Sequence, residues 1–241
     1  MLAIEARDLT VRYRPGQASA ALALDAVSVT VQAGEFVSLL GRAGSGKTTF
    51  LHCIGLLLRP TSGLVVIDGV DTSALSAGQR TDLRGRRIGF VFQDHRLLPP
   101  LTVLENVTLP LRYAGNGARG RAGTRRAQDL LHMVGLADRM DHRPDQLTAD
   151  QAQRAAIARA LIRAPALVLA DEPTGKVQDE TSDELLYLMQ RLNRTSDVTF
   201  VIATQDVDVA SWTDRVIRIG DGRIASDRRL RVGRDRLRRV R

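Results

Sequence analysis

The sequence predicts an α/β fold built on a mainly parallel sheet, and three observations predict it. A glycine-rich stretch, Gly41-Arg42-Ala43-Gly44-Ser45-Gly46-Lys47-Thr48-Thr49, joins an apolar run at 36–40 to a helical segment at 47–58. Two further apolar runs, 166–170 and 198–203, are continuous rather than alternating, as strands buried on both faces are. Each is followed by polar residues, Asp171-Glu172 in one case and Gln205-Asp206 in the other, and ligand chemistry in parallel sheets gathers at such carboxyl ends.

Taken in order, residues 4–13, 27–31 and 36–40 read as strands separated by turns at Pro15-Gly16 and Ala33-Gly34, so an antiparallel part precedes the glycine-rich loop. After the first helix, 64–69 and 88–93 read as strands, the first ending at Asp68-Gly69. From 97 to 164 the pattern is helical, with a glycine-rich loop expected at 115–123. This block is an inserted helical subdomain, after which the parallel-sheet pattern resumes. A chain of 241 residues with 44% hydrophobic content can bury a sizeable core and fits one domain carrying such an insertion.

Composition excludes several classes. The single Cys53 cannot make an internal disulfide, and no apolar stretch approaches the length of a membrane span. The first residues lack the layout of a signal peptide, so a cytoplasmic chain is expected. The net charge of +8 suggests nucleic acid until it is located: residues 228–241 hold eight arginines and one acid, Asp235, leaving the body nearly neutral. That tail lacks aromatics for base stacking, which argues against nucleic acid. Its alternatives are a solvated tail or contact with anionic lipid or a partner.

The 41–49 stretch fits the pattern of a glycine, four free positions, then Gly-Lys-Thr, which cradles phosphate. The backbone must turn tightly and aim several N–H groups at one anion, which a Cβ would obstruct. Lys47 then supplies a compact charge for the β- and γ-phosphates, and Thr48 a hydroxyl for Mg²⁺. Lysine occurs elsewhere only at Lys176, against 33 arginines, as suits a site wanting a point charge rather than a planar fork. Asp171-Glu172 is the expected companion: one carboxylate for the Mg²⁺ shell, the next to orient or deprotonate the attacking water.

From about residue 2 to 227 the chain resembles the ATP-binding cassette family. The resemblance rests on the phosphate loop, the glutamine loop Phe92-Gln93-Asp94, the acidic motif ending Asp171-Glu172-Pro173-Thr174-Gly175, and the helix at 153–161. Residues 92–99 with 101–107 look most like the lipoprotein-release, macrolide-efflux and cell-division branch. The resemblance implies a P-loop NTPase core binding ATP and Mg²⁺, with a domain at 1–227 (helical subdomain about 97–164) and a basic tail at 228–241. It also implies a transmembrane permease partner, a second cassette as homodimer or heterodimer, and a peripheral place on the inner face of the cell membrane.

Carried over by motif, Tyr13 stacks on adenine, Gly41 to Thr49 hold the phosphates, and Asp171 belongs to the Mg²⁺ shell. Gln93 meets Mg²⁺ or the attacking water and reports to the membrane partner, and Glu172 is the catalytic carboxylate. Three positions depart from the family pattern. The signature, usually Leu-Ser-Gly-Gly-Gln, reads Leu147-Thr148-Ala149-Asp150-Gln151. The loop after the acidic motif reads Gly175-Lys176-Val177-Gln178 where an Asp is usual, and Gln205 replaces the switch histidine.

In such a dimer each signature faces the other chain's nucleotide, so Thr148, Ala149, Asp150 and Gln151 face the partner's ATP. Asp150 then brings a carboxylate near that nucleotide, and at about 5 Å in an effective dielectric near 20 the repulsion is about 3 kcal/mol per unit charge. Alternatively Asp150 caps the following helix, worth about 1 kcal/mol. Gln205 can donate a hydrogen bond but carries no charge, so a weak or partner-dependent ATPase is expected, with an ATP-binding regulatory module as the alternative.

Overall fold

The computed structural model describes residues 1–13, 21–113 and 120–230. Strands β1 (Leu2–Tyr13) and β2 (Ala21–Gln32) come first, then β3 (Phe36–Leu40), which feeds through the glycine loop into α1 (Lys47–Ile54). Next come β4 (Ser62–Ile67), β5 (Val70–Asp71), α2 (Ala77–Arg87) and β6 (Ile88–Val91). Helices α3 (Val103–Thr108), α4 (Arg121–Met133) and α5 (Ala149–Leu161) separate β6 from β7 (Leu167–Asp171). The chain then runs α6 (Asp179–Ser196), β8 (Thr199–Thr204), α7 (Val207–Ala210), β9 (Arg215–Gly220) and β10 (Arg223–Arg229).

These strands make two sheets. One is antiparallel, in the order β2-β1-β4-β5, and the other runs β10-β9-β3-β8-β7-β6. In the second, every pairing is parallel except the β9–β10 hairpin. The larger sheet divides the interior, which is why its central strands β3, β7 and β8 are buried at nearly every position. Val37 and Leu39, Leu167 and Leu169, and Val201 and Ala203 face the smaller sheet and α1. Phe36, Val168, Ala170, Phe200 and Ile202 face the helical side with α3, α4, α5 and α6. Phe36 and Phe200 meet edge to face there, 5.8 Å apart. The expected antiparallel part, mainly parallel sheet and inserted helical block are all present.

Several boundaries differ from the sequence expectation, each for a physical reason. The first helix stops at Ile54 rather than 58, because Leu56 takes a left-handed φ of 58°; Gly55 before it leaves room for the ring of Phe90. Helix α2 went unexpected because it buries only Arg80 and carries no apolar stripe. A Ser76–Gln79 capping box starts it, its two side chains satisfying orphan N–H groups reciprocally. The β9–β10 hairpin was also missed, although Asp221-Gly222, both at positive φ, is a strong turn signal. The crossover α6 joins parallel β7 to β8 and buries Leu185, Leu186, Leu188, Met189 and Leu192.

The glycine-rich loop is shorter than the expected 115–123 at its far end, since α4 begins at Arg121 and buries Gly123. The rest of that loop, and the Pro15-Gly16 turn, lie outside the described residues. A break at 227/228 falls inside β10: Arg228 and Arg229 pair with Val216 and Arg215, and the Leu230 N–H donates to Asp214 O at 2.8 Å. The remaining tail arginines lie outside the described residues. Among the described residues no helix is long and apolar enough to cross a membrane.

Candidate functional site

Three parallel strands, β3, β8 and β7, end side by side and present their last residues to one place. The Gly41 N–H donates to Thr204 O at 3.1 Å, tying the glycine loop to the end of β8. The Glu172 N–H donates to Ala203 O at 2.9 Å, tying the residue after β7 to the same strand. The loop needs glycine because the chain comes close to its neighbours: a Cβ at Gly41 would strike Ile219 O, and one at Gly46 would lie 2.5 Å from Ala23 O. Gly46 has φ 104° and precedes α1 without a side-chain cap, so the first N–H groups of that helix face the loop.

Lys47 is only 6% exposed. Its Nζ donates to Gly41 O at 2.8 Å and Arg42 O at 3.1 Å, and lies 3.7 Å from Glu172 Oε1. Thr48 Oγ1 donates to Asp171 Oδ2 at 2.9 Å. The structure therefore brings the loop's lysine and threonine onto the acidic pair, across more than a hundred residues of chain. Glu172 sits at φ 45°, a conformation that costs a non-glycine residue energy and clusters at functional sites. Its Oε2 accepts from the Gln205 N–H at 3.4 Å. Ser45 Oγ is buried and has no hydrogen-bond partner, an orphan acceptor and donor inside the loop.

The remaining expected residues fall around this centre. Arg42, Ala43 and Gly44 are exposed on the loop, and Thr49 is buried. The Tyr13 hydroxyl lies 3.3 Å from Thr49 Oγ1, and its ring, 42% exposed, stands free beside the loop. The Gln93 amide lies against Gly175, where a Cβ would come within 2.9 Å of Nε2. Gln93 is thus close to the Glu172 main chain, while the described hydrogen bonds join Thr48 to Asp171 without it. The residues fit a magnesium nucleotide: a hydroxyl and carboxylate side by side, an adjacent buried cation, an orphan serine and a helix N-terminus.

The signature positions sit apart from this centre, at the start of α5, which packs on β6, α3, α4 and α6. Here the structure corrects one reading. The helix is capped by Thr148, in a box with Gln151: the Gln151 N–H donates to Thr148 Oγ1 at 3.3 Å and the Thr148 N–H to Gln151 Oε1 at 3.1 Å. Asp150 is not the cap. It pairs with Arg154 at 2.8 Å, and Arg154 also reaches Glu184 at 3.0 Å. Asp150 therefore carries a compensated charge rather than a free one, although its Oδ1 has no partner.

One contact had no sequence signal. Lys176, in the divergent loop after the acidic motif, pairs with Asp94 of the glutamine loop. The hydrogen bond from Lys176, then its charge, holds the Asp94 carboxyl below the usual range. Two loops far apart in sequence are thereby latched, with the Gln93 amide lying against Gly175 beside the latch.

Residues 24–175 match the family described as ABC transporter. A macrolide export ATP-binding/permease protein MacB of Syntrophobacter fumaroxidans is 47% identical over 91% of this chain, which spans only 30% of that relative. A lipoprotein-releasing system ATP-binding protein LolD of Anaeromyxobacter dehalogenans is 49% identical, with 85% of each chain covered. The dimeric structure of the ATP-binding cassette MJ0796 bound to ADP and Pi superposes with a TM-score of 0.87 at 39% identity, covering 95% of this chain and 99% of that one.

Proposed function

This chain belongs to the ABC transporter family, and from that premise we propose that it is an ATP-binding subunit that binds and slowly hydrolyses MgATP in a cassette dimer to drive or gate a transmembrane permease. The observation that carries this reading is the convergence of Lys47, Thr48, Asp171 and Glu172 from two distant segments. On this reading the loop N–H groups and Lys47 hold the phosphates, and Tyr13 offers a ring face to the adenine. Thr48 and Asp171 hold Mg²⁺, with Gln93 completing its surroundings; the ion, when bound, neutralises charge on the phosphate oxygens.

Glu172 accepts the proton of the attacking water. Its carboxylate is already oriented by the Gln205 N–H and faced by Lys47, so it is fixed before substrate arrives. Gln205 places a neutral side chain where the family uses histidine, which leaves the γ-phosphate with one fewer charged contact. Thr148, Ala149, Asp150 and Gln151 face the partner chain's nucleotide, and the subunit works against the inner face of the membrane.

A second reading, an ATP-binding regulatory module with little hydrolysis, is favoured by one observation: the Thr148–Gln151 box leaves the signature's polar groups bonded to each other. Steady-state ATPase turnover of the chain alone and with its co-purified permease separates the two. Turnover that rises with the permease supports the transport subunit. Stoichiometric MgATP binding with no turnover in either setting supports the regulatory module.

A further inference from the structure

Away from the phosphate loop, three arginines gather where α1 ends and α2 passes over it. Arg80 is the one buried residue of α2, at 8% exposure. Its guanidinium reaches only main-chain carbonyls, Thr72 O at 3.5 Å and Leu58 O at 3.4 Å, both at the far limit of a hydrogen bond. Arg84 donates to Leu56 O and Arg59 to Leu75 O. Among the described residues none of the three pairs with a carboxylate. Arg59 and Arg84 are instead close enough to depress the Arg80 pKa, behind the larger effect of burial.

Among the described residues no ion pair supplies the missing negative charge. Cys53 lies close, but burial pushes its thiol up to about 12, so it is neutral at physiological pH. The Asp71 carboxylate accepts from the backbone N–H and side chain of Ser73 and makes no ion pair with any of the three arginines. The carbonyls beyond α1 account for the equivalent of about half an elementary charge, against three guanidinium groups. A buried cation left in this condition is costly unless a counter-ion joins it.

The space for one is there. A cavity of about 200 Å³ is lined by Arg59 and Arg80 with Thr61, Ser62, Thr72 and Ser73. Thr72 Oγ1 is committed to Val65 O, and Thr61 Oγ1 accepts from the Arg12 N–H. The exposed Ser62 hydroxyl and the free donors of both guanidinium groups remain. Donors arriving from three separate segments surround a ligand rather than fork onto one edge. That suits a tetrahedral oxyanion with acceptors on all sides better than a planar carboxylate.

We propose that Arg59 and Arg80, with the hydroxyl-bearing turns at 61–62 and 72–73, form a binding site for a phosphate-class anion, separate from the nucleotide loop. The ligand is either free phosphate or the phosphate of a lipid headgroup, and the site stabilises the α1–α2 corner when filled.

The test uses the full chain carrying Lys47→Ala, so that the nucleotide loop contributes no phosphate site, with and without Arg59→Gln. Arg59 is exposed and its loss leaves the core intact; Arg80→Lys serves as a second variant that keeps the charge. Inorganic phosphate is titrated by calorimetry and by its effect on the thermal midpoint, and binding to vesicles with and without phosphatidic acid is measured in parallel. The arginine tail is common to every form, so differences between forms report the cavity. A phosphate affinity weakened about tenfold by Arg59→Gln establishes a free-anion site. Unchanged phosphate binding with weakened binding to phosphatidic acid vesicles establishes a headgroup site. If neither differs between the parent and Arg59→Gln, the proposal is overturned.

Discussion

On the proposed reading the phosphate loop and the signature supply two halves of a composite nucleotide site, and in this chain they are built on opposite terms. The loop's side chains reach outward to other segments: Lys47 to Glu172, Thr48 to Asp171, Tyr13 to Thr49. At the start of α5 the polar groups turn inward, with Thr148 bonded to Gln151 and Asp150 to Arg154. One half holds groups in tension with their surroundings, a buried lysine and a strained glutamate, as sites awaiting a charged ligand do. The other has largely satisfied its own groups. The difference teaches that the two halves can be altered separately, the loop side through single residues such as Lys47 and Glu172 and the signature side with less effect.

The sharpest break in that contrast is Lys47→Ala, which removes the cation facing the phosphates. MgATP affinity measured by calorimetry should fall by about two orders of magnitude or more, while the thermal midpoint stays close to that of the parent. Retained affinity would mean that the loop is not the binding half. Next in size, Glu172→Gln should keep binding intact and lower hydrolysis by about 10²-fold or more. A parent no faster than this variant would show the carboxylate to be idle.

Repairing the divergent position of each half should give a smaller change. Asp150→Gly with Gln205→His should raise turnover by about tenfold at most, and by more than either single change. The gain is limited because Arg154 already offsets much of the Asp150 charge. No gain with or without a partner cassette would shift attention to Gln178 or to the permease.

Smallest of all should be the effect of Lys176→Ala, which opens the latch to Asp94. Because the folded Asp94 pKa is lowered, the pair adds stability above the unfolded carboxyl value of about 3.9 and loses it as pH falls through the folded value. Denaturation midpoints of parent and variant should therefore differ slightly at neutral pH and converge in acid. A gap that persists in acid strong enough to protonate the folded carboxyl would assign the lysine a different partner.

Much of this was legible in the sequence because its signals are local. A glycine pattern states its own backbone conformation, continuous apolar runs state burial on both faces of a sheet, and an acidic pair after such a run states a strand end. Signals that depend on a neighbour far along the chain were not legible. The first helix stops early because Leu56 takes a left-handed φ, and α2 forms with no apolar stripe to announce it. Arg154, four residues on along α5, was legible as an i,i+4 partner for Asp150, whereas its second tie, to Glu184 of another helix, was not.

By itself, then, the sequence determined the α/β class, the phosphate loop and the acidic pair, because each is encoded by contiguous residues whose backbone geometry and burial follow from their own chemistry. Only the tertiary structure decided which charges are compensated. It tied Arg154 to Glu184, latched Lys176 to Asp94, and left Arg59, Arg80 and Arg84 together without a carboxylate among the described residues. An ion pair, or the lack of one, is a matter of distance through space, and no local pattern along the chain specifies it.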